Sequence, residues 1–155
     1  MRTAVEGWIE QPLLRFVDDA RVRLALVLEP SGRVLAQHGF TRSVDVMSAC
    51  ALAAAIQASA GELGSMLDGA PFRWLHHDGR DRQLFLAHLG TPNGALVLLA
   101  VFDDGSTVGL VRLYFRELSA RLATVQPVPT PSVPALAADF ERDLDRNLAR
   151  LFGRL

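Results

Sequence analysis

The sequence predicts an α/β domain of the α+β kind: a five-stranded, mainly antiparallel sheet with helices on both faces, followed by an extra C-terminal helix. Three observations carry that expectation. Apolar runs flank compact reversal signals at Pro30-Ser31-Gly32, Asp78-Gly79-Arg80-Asp81 and Thr91-Pro92-Asn93-Gly94, where Pro presets a turn torsion and Gly or Asn accepts positive φ. Between the first two of these signals the hydrophobic period lengthens from that of a strand to that of a helix. The chain has 155 residues, half of them hydrophobic and 21% charged, which suits one core large enough to stand without metal or disulfide.

Ile9, Leu13, Phe16, Val17 and Ala20 fall at helical spacing among Glu10, Arg15, Asp18 and Asp19, predicting a short helix from about Pro12. Arg23 to Leu28 and Arg33 to Phe40 form the first hairpin. From Asp45 to Leu67 the apolar residues Val46, Ala49, Ala53, Ile56, Ala60, Leu63 and Leu67 advance by alternating steps of three and four, one side of a helix about six turns long. Asp45 stands where a carboxylate caps exposed amides. Much of the remaining circumference is Ala51, Ala54, Ala55 and Ala58, with only Gln57 and Glu62 as polar relief. A helix with one wet face carries more charge than that, so a second protein surface is expected on it.

Phe72 to His77 and Arg82 to Leu89 make the next hairpin. An odd-sum register places Phe72, Trp74 and His76 on the face of Gln83, Phe85 and Ala87. Ala95 to Phe102 is apolar on both sides and therefore central, covered on both faces. Asp103 to Ser106 end that strand and offer caps to a helix beginning near Thr107, with Val108, Val111, Phe115, Leu118 and Leu122 as its stripe. The prolines of residues 127–134 predict an extended connector. Leu136, Phe140, Leu144, Leu148 and Leu151 then form the stripe of a last amphipathic helix. The expected organisation is a domain over 1–125, a Pro-rich connector over 126–134 and a C-terminal helix over 135–155.

The charge pattern excludes several classes. Sixteen basic residues, all Arg, against 17 acidic ones leave a net charge of -1, which gives no bulk attraction to phosphate backbones, so no nucleic-acid partner is expected. The densest apolar strand is too short to span a bilayer, so no membrane insertion is expected. The first residues do not read as a signal peptide, and a cytoplasmic location is expected. No phosphate loop, metal-ligand spacing or nucleotide fingerprint occurs, and no catalytic, cofactor-binding or metal residue is assigned. Cys50 lies in an apolar helix with no local base and reads as a buried, inert thiol. His76 and His77 are adjacent on a strand and point to opposite faces, which argues against joint metal ligation. Asp103 and Asp104 read as caps or turn groups rather than a catalytic pair. Arg142, Arg146, Arg150 and Arg154 line one edge of the last helix, either as a solvated face of weak pairs or as a docking strip for an acidic protein surface.

The segments LEPSGRVLA (28–36) and LVLLAVFDDGSTVGLVR (96–112), with the Ala-rich helix between them, resemble the roadblock/dynein light chain family over about residues 12–124. The bacterial MglB-like branch of that family carries a comparable added C-terminal segment. The resemblance implies a roadblock/profilin-like fold and a homodimer. In that dimer the helices Asp45 to Leu67 pack together, and strands carrying Phe72, Arg73, Trp74, Leu75 and His76 join into one sheet. It further implies that the dimer binds an MglA-like small Ras-like GTPase and stimulates its GTP hydrolysis, acting on the partner's active site rather than as an enzyme itself. No arginine finger is singled out among Arg73, Arg82 and Arg112. The rival reading is a non-catalytic homodimeric scaffold or signalling adaptor. A small-molecule sensor would need a polar-lined pocket, for which His76 and Tyr114 are the few candidates.

Overall fold

The computed structural model describes residues 7–39, 44–126 and 133–153. The elements are α1 (Gly7–Ala20), β1 (Leu24–Leu28), β2 (Val34–Gly39), α2 (Val46–Asp68), β3 (Trp74–Asp78), β4 (Gln83–Thr91), β5 (Gly94–Phe102), α3 (Val108–Ala123) and α4 (Val133–Phe152). The strands lie in the order β2-β1-β5-β4-β3, and every neighbouring pair is antiparallel. Most of the connector, and Phe40 and Arg154, lie outside the described residues.

β5 sits between β1 and β4 because its side chains are apolar on both faces. Leu96, Leu98, Ala100 and Phe102 join the core under α1 and α3. Val97 and Leu99 join the core under α2, with Val101 packed against it. Fully burying a side chain such as Leu98 or Phe102 is worth about 2 kcal/mol of transfer free energy, and the larger cluster is the one beneath α1 and α3. The second hairpin has the expected odd-sum register, with Trp74 opposite Ala87 and His76 opposite Phe85.

α1 begins at Gly7 rather than near Pro12, and Pro12 lies inside it. The reason is packing: Ile9 is fully buried and Trp8 rests on the same cluster. Pro12 removes one hydrogen bond near the helix start, a smaller loss than exposing that turn. The far end of α1 is tied to the β5–α3 junction by Ser106, which is 7% exposed and donates its hydroxyl to the Ala20 carbonyl. Ser106→Ala leaves that carbonyl unpaired and should cost about 1–2 kcal/mol. At about 2–4 °C per kcal/mol for a chain of this size, a melting curve should show a fall of roughly 2–8 °C. No fall would mean that the bond contributes nothing to the junction.

α2 crosses the sheet face opposite α1 and α3, packed on β1, β5 and β4. Its N-terminus is fixed by Asp45, whose carboxylate accepts from Ser48 N at 3.2 Å and from the Ser48 hydroxyl at 2.7 Å. These bonds hold the Asp45 carboxyl below its usual range. Gly69 ends the helix in the left-handed region at φ 70°, a conformation that costs Gly nothing. α2 is also the one described helix long and apolar enough to cross a bilayer by length and composition, but its inner side is packed on the strands.

Candidate functional site

The surface that stands out is made by the outer side of α2 and the free edge of β3. Seen from the sheet, α2 sorts its residues by size. Cys50, Ala53, Ala54, Ala60 and Gly64 are buried, and this row of small side chains lets the helix axis lie close to the strands. The bulky residues point away: Met47 is 83% exposed, Leu52 65%, Leu63 49% and Met66 80%. A helix that turns its large apolar side chains to water and its small ones to the core is unpartnered on its outer side.

The stripe expected to form a helix seam is therefore divided. Ala53 and Ala60 are buried in their own chain, and Val46 and Ala49 pack against the cluster that holds Ala53. Ile56, Leu63 and Leu67 remain exposed. Leu52, Ala55, Ser59 and Met66 belong to the outer surface and were not in that stripe. The signal for them was the lack of charge around the whole helix, but periodicity alone could not say which side the sheet would take.

Among the described residues β3 pairs only with β4 and so forms one edge of the sheet. It begins at Trp74, leaving Phe72 and Arg73 in the preceding turn, because the backbone of 70–72 is pressed against Gly64: a Cβ built there would lie 2.6 Å from Phe72 N and 2.8 Å from Ala70 O. Between α2 and β3 runs an apolar groove of about 420 Å³ lined by Leu52, Ala55, Ile56, Ser59, Ala60, Leu63, Phe72, Leu75 and His77. Among the described residues Ser59 and His77 are its only polar side chains, a lining suited to another protein surface more than to a polar metabolite.

The histidines separate as adjacent strand positions must. His76 faces the α3 side, stacked on Phe102 at 6.1 Å between ring centroids and hydrogen-bonded to Gln83 at 2.7 Å. His77 lines the groove on the α2 side. Among the described residues no cluster of three or more His, Cys, Asp or Glu could hold a metal ion. Cys50 is 1% exposed, and burial raises its thiol pKa, which keeps it protonated and unreactive. Asp103 accepts from Gly105 N at 3.0 Å and from Arg23 Nε at 2.8 Å. Those bonds hold its carboxyl below the usual range and make it a turn and ion-pair residue.

The arginines have different surroundings. Arg112 lies over the Trp74 ring at 4.3 Å and is committed to that stack. Arg82 lies with Arg23 and Asp103 at the end of the sheet, and Arg73 is exposed beside Trp74. Arg142, Arg146 and Arg150 are exposed on α4, where Arg146 reaches Asp143 at 3.9 Å, a surface pair of little energetic weight.

The family model described as the Roadblock/LC7 domain matches residues 9–100. MglB from Myxococcus xanthus has a similar structure, with a TM-score of 0.69 and 26% identity over 76% of this chain and 93% of that one. The gliding protein MglB from Thermus thermophilus aligns with a TM-score of 0.66 and 23% identity over 79% of this chain and 91% of its own. A Roadblock/LC7 domain from Streptomyces avermitilis aligns with a TM-score of 0.60 and 18% identity over 75% of this chain and 92% of that one. Among curated protein sequences, none matches this chain significantly.

Proposed function

The chain belongs to the Roadblock/LC7 domain family, and from that premise we propose that it is an MglB-like cytoplasmic regulator that dimerises through α2 and β3 and binds a small Ras-like GTPase of the MglA type. The observation that carries this reading is the continuous apolar surface from the outer side of α2, through the groove, to the unpaired edge of β3. An edge strand beside an uncovered apolar helix is a template for a second chain. A two-fold axis satisfies both features at once.

Symmetry limits the register of that contact. If both α2 helices lie on one side of a joined sheet, residues on the same face must pair across the axis, so one residue of β3 meets its own copy. Centring on His76 uses the whole strand from Trp74 to Asp78. His76→Cys should then form an interchain disulfide under mild oxidation, whereas Leu75→Cys and His77→Cys should not, because facing strand positions bring Cβ atoms within disulfide reach. Preferential crosslinking at residue 75 or 77 would shift the axis by one position. No crosslink at any of the three would remove β3 from the interface.

Stimulation of GTP hydrolysis would act on the partner's own catalytic groups. The decisive experiment mixes the purified chain with the MglA-like GTPase of the same genome and follows GTP-dependent complex formation and phosphate release. The expected result is binding favoured by GTP and faster release. Binding without faster release would favour the scaffold or adaptor reading, and no association in either nucleotide state would sink the GTPase-partner reading altogether.

A further inference from the structure

A second groove, of about 560 Å³, lies on the opposite face of the sheet, between the C-terminal half of α3 and the start of β3. Phe72, Trp74, Phe115 and Ala120 give it an apolar floor and wall, and Arg73 and Arg116 stand exposed at its rim. Among the described residues neither arginine has an ion-pair partner.

The chain carries a segment of matching shape and charge. On α4, Leu144 is 45% exposed, Leu148 43% and Leu151 76%, an apolar ridge on one side of the helix. Asp143 and Asp145, both exposed, border that ridge on either side. Among the described residues, groove and ridge both stand uncovered, and none on α4 lines the groove.

We propose that α4 docks in cis into this groove, antiparallel to α3, with Leu144, Leu148 and Leu151 over Trp74 and its acidic flanks toward Arg73 and Arg116. Chain connectivity selects this occupant over others. α3 ends at Ala123, itself part of the groove wall, and only residues 124–132 separate it from α4. Links not much longer than those of helix bundles join antiparallel neighbours. Even fully extended, the connector spans about 30 Å, which holds α4 at a local concentration on the order of millimolar. A free chain at micromolar concentration competes poorly with that. The inference goes beyond the GTPase reading and needs neither a GTPase nor a dimer. It makes α4 a strap over the α3 face that any other occupant of the groove must displace.

Proximity and accessibility test this in the full chain. Ala120→Cys combined with Leu148→Cys, treated with a short flexible bismaleimide, should give an intrachain crosslink that runs as a monomer on a denaturing gel. Ala120→Cys combined with Met47→Cys, on the other face of the sheet, should not. The native thiol is buried and does not interfere. Single adducts alone would overturn the proposal, and crosslinks found only between chains would show that a second copy occupies the groove instead. In a Trp8→Phe background, which leaves Trp74 as the one tryptophan, Leu144→Glu with Leu148→Glu should at least double the acrylamide quenching constant. Unchanged quenching would mean that α4 does not cover Trp74. Because both readouts are taken without nucleotide or partner, their failure would leave the GTPase reading intact, and failure of that reading would leave them unaffected.

Discussion

Leu63→Arg is expected to leave a folded monomer, read by light scattering as a fall from twice the chain mass of 16.9 kDa to that mass. Leu63 lies on the outer side of α2, 49% exposed, and lines the groove beside β3. In a two-fold interface the substitution occurs twice, and each copy loses apolar burial and brings a charge that must be desolvated. At about 2 kcal/mol for each anchor, the two together come to about 4 kcal/mol, or roughly a thousandfold in Kd. The monomer should remain folded, because Leu63 belongs to neither buried cluster and surface changes of this kind fall within about 0.5 kcal/mol. Ala53→Arg would not serve as the same test. Ala53 is 3% exposed against its own sheet, so a charge there unfolds the chain before it separates two copies. A native protein that is monomeric at micromolar concentration, or a Leu63→Arg protein that stays dimeric, would remove this face from the interface.

Two glycines three residues apart in α2 should respond to alanine with opposite signs. Alanine is the better helix former by about 1 kcal/mol, and at Gly61 nothing lies within 4 Å of an added Cβ. Gly61→Ala should therefore stabilise the chain by about 0.5–1 kcal/mol. At Gly64 the same Cβ would lie 2.6 Å from Phe72 N, 2.8 Å from Ala70 O and 3.1 Å from Pro71 C. These are backbone atoms that cannot swing aside as a flexible side-chain tip would. Overpacking of this kind costs about 1–3 kcal/mol, and with a whole turn to displace, the upper part of that range outweighs the propensity gain. Thermal melts should place Gly64→Ala several degrees below the native chain and Gly61→Ala above it. If both substitutions stabilise, the turn at 70–72 yields freely and does not set the spacing of α2 and β3. Because that spacing forms the groove, Gly64→Ala should also weaken self-association more than its melting point alone would explain.

The order of elements was legible because each left a period or a turn of its own. The hairpins around Gly32 and Gly79, the two-sided apolarity of Leu96 to Phe102 and the cap at Asp45 are all local features, and each lies where its chemistry puts it. The start of α1 was not legible, because Pro12 reads locally as a first helical position, and the packing of Ile9 adds a turn before it. The inward and outward sides of α2 were hidden for a related reason. When both sides are apolar, the difference is one of size, and a sheet chooses the small side because it admits closer approach. That choice divided the alanines: Ala53, Ala54 and Ala60 fit the helix to its own strands, while Ala51, Ala55 and Ala58 share the outer side with leucine and methionine. The groove beside α3 was illegible altogether, since it joins a turn, a strand and a helix through tertiary contact alone.

The order of the strands also bears on how the chain reaches this state. β1, near the start of the described chain, lies beside β5, with Leu24 opposite Val101 and α2 and three strands' worth of sequence between them. The β1–β2 hairpin and the β3–β4–β5 meander close through short turns, but the seam between them needs a long loop to be drawn in, and contacts of that kind form slowly. Until the seam closes, neither half has a complete face for α2 to cover, so its inner alanines and its outer leucines are exposed together. Folding speed and the risk of wrong association are then governed by one step, the meeting of β1 with β5. Substitutions at that seam, such as at Leu26 or Leu99, should slow folding more than equally destabilising changes within either hairpin.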